Sequence, residues 1–97
     1  MTGDKPIKFR ILELFLDGDG HWNYEIVSQV LEEYALEGNY WRDSINFDII
    51  ELSSGALLKV DDYRLDEEGI YKKNFLVYKY SITDFGRARS SESCLYV

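Results

Sequence analysis

The chain has 97 residues, 45% apolar and 15% aromatic, which is the length of one small domain and enough apolar material for a core, so a folded and not a disordered chain is expected. Eighteen acidic against eleven basic side chains give a formal charge of -7, which excludes a loose, purely electrostatic hold on nucleic acid or anionic lipid but not a local basic strip. No apolar run approaches the roughly 20 residues needed to cross a bilayer, and residues 1–6 lack a signal peptide's basic and apolar regions, so no membrane partner and a cytosolic chain are expected.

A single cysteine, Cys94, excludes an internal disulfide and a cysteine-built metal site. One domain over residues 1–97 is expected, with its core from about 7 to 89 and a tail from 90 to 97. A chain this short buries only about 60–65% of the surface its unfolded form exposes, so a homodimer is expected to help it.

Ile7, Ile11, Leu12, Leu14, Phe15 and Leu16 recur at helical spacing and Pro6 suits a first turn, which predicts a first helix over residues 7–16. Asp17, Gly18, Asp19 and Gly20 are turn formers, leaving His21 and Trp22 for a very short extended segment. Asn23 reads as the N-cap of a second helix, with Glu25 at its positive end and Trp22 placed to pack on Val27. Its buried stripe is Ile26, Val27, Val30, Leu31 and Tyr34, and its solvent side carries Glu25, Glu32, Glu33 and Glu37. Gly38 and Asn39 stop it. A third helix over residues 40–53 aligns Trp41, Ile45, Ile49 and Leu52 on one stripe.

Beyond Gly55 the rhythm changes to alternation, in "ALLKVDDYRL" and again in "NFLVYKYSI", with "DEEG" as the turn of a hairpin. The register expected is Leu65 opposite Ile70, Leu58 opposite Val77, Val60 opposite Phe75 and Asp62 opposite Lys73. That hairpin would root on the helices and end in water, as a wing. Thr83 can cap a short last helix, "DFGRARSS".

Several stretches imitate chemistry without supporting it. "DGDG" opens like a calcium loop, but the fifth, sixth and twelfth positions are His21, Trp22 and Ser28, none of which suits an EF-hand. "DFG" at Asp84–Gly86 lacks every other kinase motif. His21 is the one histidine, so neither a zinc cluster nor a hydrolase triad has partners. Asp61 and Asp62, like Glu32 and Glu33, point to different faces and read as solvated charge. No catalytic residue, cofactor or metal ligand is assigned, and an enzyme is not expected.

The order helix, turn, helix, helix, hairpin, and then a "Y-x-I/L-T-x-x-G" ending, resembles the winged helix-turn-helix family, which includes many small bacterial and archaeal transcriptional regulators. The resemblance runs over about residues 7–89, carried by "RILELFLDG", "NYEIVSQVLEEY", "SINFDIIELSSGALLKV" and "YSITDFGRA", with Thr83 and Gly86 matching the closing threonine and glycine. It implies an α+β fold with a three-helix core, a C-terminal two-stranded wing and a short last helix. It also implies a third helix that enters the major groove of DNA, a wing that touches the flanking backbone, and commonly a dimer.

Two functions follow. On the resemblance, the chain is a DNA-binding transcriptional regulator in which Arg42 and Asn46 approach bases while Arg64, Lys72 and Lys73 approach phosphates of double-stranded DNA. The alternative is a protein-interaction module on the same scaffold. The outward face of the third helix carries Tyr40, Asp43, Asn46, Phe47, Ile50 and Glu51, the acidic surface repels nucleic acid, and the neighbouring Phe47 and Ile50 would dock another protein. In the hairpin, Asp66, Glu67 and Glu68 are expected to form an acidic tip beside a basic strip of Arg64, Lys72, Lys73 and Lys79.

Overall fold

The structure, a computed structural model, describes residues 5–93, and Cys94 lies outside them. Its elements are α1 (Ile7–Leu14), β1 (His21–Trp22), α2 (Asn23–Glu33), α3 (Asn39–Ser54), β2 (Leu58–Leu65), β3 (Leu76–Ile82) and α4 (Asp84–Ser93). The expected class, α+β with helices ahead of a hairpin and a last short helix, is what the chain forms, but the sheet has three strands and not two. His21 and Trp22 pair with Tyr80 and Lys79, giving one antiparallel sheet in the order β1-β3-β2. Among the described residues no helix is long and apolar enough to cross a membrane.

Most of the helical positions read from the sequence become the core, while Leu16 is exposed and Trp41 only partly buried. Ile11, Leu12 and Phe15 meet Ile26, Val27 and Val30 of α2, Ile45, Ile49 and Leu52 of α3, and Leu58, Tyr80 and Ile82 of the sheet. Each such burial is worth roughly 1.5–3 kcal/mol, so these twelve residues, and not helix propensity, hold the elements together. Leu31 and Tyr34, expected in the stripe of α2, are partly buried at its edge. Arg10 clamps α1 to α2 by donating to both oxygens of Glu33 at 2.7 and 3.0 Å. That bond holds the Glu33 carboxyl below its usual range against the opposing effect of burial.

Three local expectations are corrected. The first helix ends at Leu14, because the N–H groups of Phe15 and Leu16 donate to the carbonyls of Leu12 and Glu13 and tighten the last turn. The "DGDG" turn then closes on itself, with the Asp17 carboxylate accepting from the Asp19 N–H at 3.0 Å and lying 2.8 Å from His21 Nε2. Asn23 is not the cap of α2 but its first residue; Trp22 is the cap, and its N–H donates to Glu25 Oε1 at 2.8 Å. Asn23 is only 3% exposed, and its amide donates to Asn46 Oδ1 at 3.0 Å while its Oδ1 accepts from the Tyr78 N–H. A tertiary polar contact has displaced a local one. Finally, α4 continues to Ser93 and so includes residues expected in the tail.

The hairpin register is also corrected. Leu65 faces Leu76, Arg64 faces Val77, Tyr63 faces Tyr78, Asp62 faces Lys79, Val60 faces Tyr80 and Leu58 faces Ile82, with a bulge between Val60 and Asp62. Residues 66–75 therefore form a long loop where a four-residue turn was expected. Asp66 organises it: its carboxylate accepts from the N–H groups of Ile70, Tyr71 and Lys72, each at 2.8 Å. Main-chain bonds from Asp66 to Phe75 and from Asn74 to Asp66 close the neck, and Gly69 and Asn74 take the left-handed conformation the path demands. Side-chain acceptance of loop N–H groups competes with the ladder and here prevails over it.

At the root of the hairpin, Thr83 Oγ1 donates to the Ala56 carbonyl at 2.6 Å and accepts from the Gly86 N–H at 2.9 Å, capping α4 on the end of α3. Gly86 is pressed so closely on this junction that a Cβ would overlap the Leu57 carbonyl oxygen and come within 2.8 Å of Ile82. Gly86→Ala is therefore expected to cost about 1–3 kcal/mol, read as a fall in the chemical-denaturation midpoint. Ala56, just past α3, sits at φ 65° in a conformation that suits glycine. Ala56→Gly is expected to stabilise by about 0.5–1 kcal/mol, so that the two variants move the midpoint in opposite directions.

Candidate functional site

Burial of Ile45, Ile49 and Leu52 fixes how α3 is turned, and at about 100° per residue that leaves Phe47 and Ile50 on the far side. They are 58% and 43% exposed. In β3 the alternation buries Val77 on one face and sets Leu76, Tyr78 and Tyr80 on the other. The register adds Tyr63 and Leu65 of β2 to that second face. Between α3 and this face lies a groove of about 590 Å³, walled by Phe47 and Ile50 on the helix side and by Phe75, Leu76 and Tyr78 on the hairpin side, with Asn46 among its polar lining. Phe75 is 60% exposed.

One end of the groove is closed by the loop. The Arg42 guanidinium lies 4.9 Å from the centre of the Tyr71 ring and donates to the Tyr71 carbonyl at 2.8 Å. The Tyr71 hydroxyl donates to Asp43 Oδ1 at 3.2 Å, and Lys72 Nζ stands 3.5 Å from the same oxygen. Burial, and then the bond to Asp43, push the Tyr71 hydroxyl up to about 12, so it stays a donor at any ordinary pH.

The residues singled out in the sequence fall into two groups. Asn46, Phe47, Ile50 and Lys72 line the groove, and Arg42 stands at its end behind Tyr71. Arg64 and Lys73 lie outside the lining. Arg64 projects to the opposite face of the hairpin from Tyr63, where its guanidinium lies 4.7 Å from the Trp22 ring centre and donates to the Tyr24 hydroxyl at 2.6 Å. The expected acidic tip loses Asp66, which is buried and fully engaged, and keeps Glu67 and Glu68. Tyr71, Phe75, Leu76 and Asn23 are contributors that the sequence reading did not find; the Asp66, Gly69 and Asn74 turn formers were the available sign that a structured loop sets them in place.

Comparisons with family models, with curated proteins and with solved structures find no match for this chain.

The loop makes the closed end of the groove dependent on one carboxylate. Burial pushes the Asp66 carboxyl up, but the N–H groups of Tyr71, Ile70, Lys72 and Gly69 together pull it below its usual range. A folded value below the unfolded one means that the carboxylate's contribution is complete above the unfolded range near about 3.9 and is lost as the pH falls through the folded value. Relative to the intrinsic amide rate at each pH, exchange at residues 70, 71 and 72 is therefore expected to stay slow at neutral pH and to quicken only in more acid solution. Asp66→Ala should quicken it at neutral pH as well.

Proposed function

We propose that the chain is a protein-interaction module on a winged-helix scaffold, and that the groove between α3 and the hairpin is its docking face. The observation that carries this reading is the joint exposure of Phe47, Ile50, Phe75 and Leu76 on two facing walls. Adjoining large apolar side chains left in water beside a polar margin are the mark of a surface that another chain covers. Three helices leading into a hairpin whose root is capped by Thr83 and Gly86 support the scaffold reading.

The same geometry weighs against direct duplex binding. Arg42 is held by the carbonyl and ring of Tyr71, Asn46 accepts from Asn23, and Lys72 stands beside Asp43. Arg42 and Lys72 would have to leave a partner before meeting DNA, and Asn46 keeps only its amide nitrogen to offer. Arg42 against Asp43, Asp48 and Glu51 leaves α3 two charges negative, which repels a phosphate backbone.

The test is a photo-crosslinking amino acid placed at position 47, compared with one at Glu32, in cells that make the protein. A discrete protein adduct from position 47, lost on Phe75→Glu, is expected; adducts to nucleic acid alone would overturn the reading. In parallel, a generic duplex is expected not to bind at 50 mM salt. Binding that fell with a log-log slope near about -3, and vanished on joint Lys72→Glu and Lys73→Glu substitution, would restore the regulator reading instead.

A further inference from the structure

We infer that the groove takes an apolar segment of a second, unlike protein chain that carries lysine or arginine beside its apolar anchors. The inference rests on the docking reading above and supplies the chemistry of its partner.

The charge of the rim is the first argument. The chain carries -7, and α3 begins the exposed line Asp43, Phe47, Ile50 with a carboxylate one turn from the apolar pair. Asp43 and Lys72 are each more than half exposed and stand 3.5 Å apart, so their attraction is screened and easily exchanged. The Tyr71 hydroxyl and Lys72 both approach Asp43 through Oδ1, and among the described residues Oδ2 has no partner. A guanidinium or ammonium brought in by a partner would meet this carboxylate without breaking the Tyr71 bond. Charge complementarity of this kind selects partners and speeds encounter more than it adds affinity.

The floor supplies the second argument. Asn46 Oδ1 is taken by the buried amide of Asn23, and among the described residues the Asn46 amide nitrogen donates to nothing. It is half-buried in the groove lining, where it offers a donor to a main-chain carbonyl of an incoming segment. Apolar walls, the Asn46 donor on the floor and an Asp43 carboxylate whose Oδ2 is open beside Lys72 describe a cationic, apolar peptide segment.

A second copy of this chain fits poorly. β2 is an edge strand, and its charges run Lys59, Asp61, Asp62, Arg64. The antiparallel register centred between the aspartates is disfavoured, since it sets Lys59 against Arg64 and Asp61 against Asp62, like charge on like. The bulge beside Asp61 further spoils the edge for pairing. Two chains of -7 would also repel as they met.

The test uses the intact chain as bait for a phage-displayed library of random dodecapeptides at 50 mM salt, with Phe47→Glu and Phe75→Glu chains as parallel baits. Both substitutions fall on exposed side chains, and circular dichroism verifies that the variants stay folded. Peptides enriched on the native chain and lost on both variants are expected to pair Lys or Arg with aromatic or branched apolar residues. Their synthetic forms should bind about threefold more weakly to Asp43→Asn, the effect of one exposed ion pair, and more weakly still at 200 mM salt. Groove-dependent peptides that are neutral or acidic would overturn the cationic partner while leaving the docking reading intact. A chain that sediments as a dimer, which Phe47→Glu dissociates, would overturn the unlike partner in favour of a second copy. A monomer that selects no groove-dependent peptide would overturn both the inference and the reading beneath it.

Discussion

A buried carboxylate sets the shape of the exposed half of this molecule. Asp66 is withdrawn from water at the mouth of the hairpin, and a charge so placed is tolerated only where hydrogen bonds replace its hydration. Successive N–H groups of residues 70, 71 and 72 do so, and in turning inward they fix the path of the loop. That path brings Tyr71 against Arg42 and sets Phe75 and Leu76 across from Phe47 and Ile50. The groove is a consequence of satisfying one side chain. Its far wall is set independently by the core stripe of α3, so two unrelated constraints meet to define the space between them.

How much of this was legible in the sequence depends on the period of the signal. Helical stripes were legible because residues three and four apart share a face, and Ile45, Ile49 and Leu52 are buried while Phe47 and Ile50 are exposed. The hairpin was legible as a hairpin but not in its register. The partner of Leu65 moves from Ile70 to Leu76, an even displacement that an alternation of period two does not register, and at Val60 and Leu58 the bulge, which leaves no periodic signal, makes the displacement odd. What decides the matter is the loop, through Asp66, and hydrogen bonds from a side chain to a distant main chain leave no periodic trace. Asn23 shows the same limit. Its local chemistry suits a helix cap, but the contacts it makes are with Asn46 and Tyr78, which only the folded chain brings near.

The basic residues teach a related lesson. Arg42, Arg64 and Lys72 read as cations available to phosphate, and their sign was correct, but in the structure each has an aromatic ring or a carboxylate close by. Arg64 covers Trp22 and Tyr24 on one side of the hairpin, while Arg42 and Lys72 fasten its loop on the other. In this acidic chain these three cations serve as internal fasteners.

The placement of the two indoles gives the molecule built-in optical reporters. Trp22 lies under the Arg64 guanidinium on one face of the hairpin, and Trp41 packs edge-on against Tyr40 at the start of α3, beside the Arg42 that grips Tyr71. The first indole is placed to report on the attachment of β2 to the start of α2, and the second on the start of α3. Replacing either indole by phenylalanine would separate the two signals without attaching any dye.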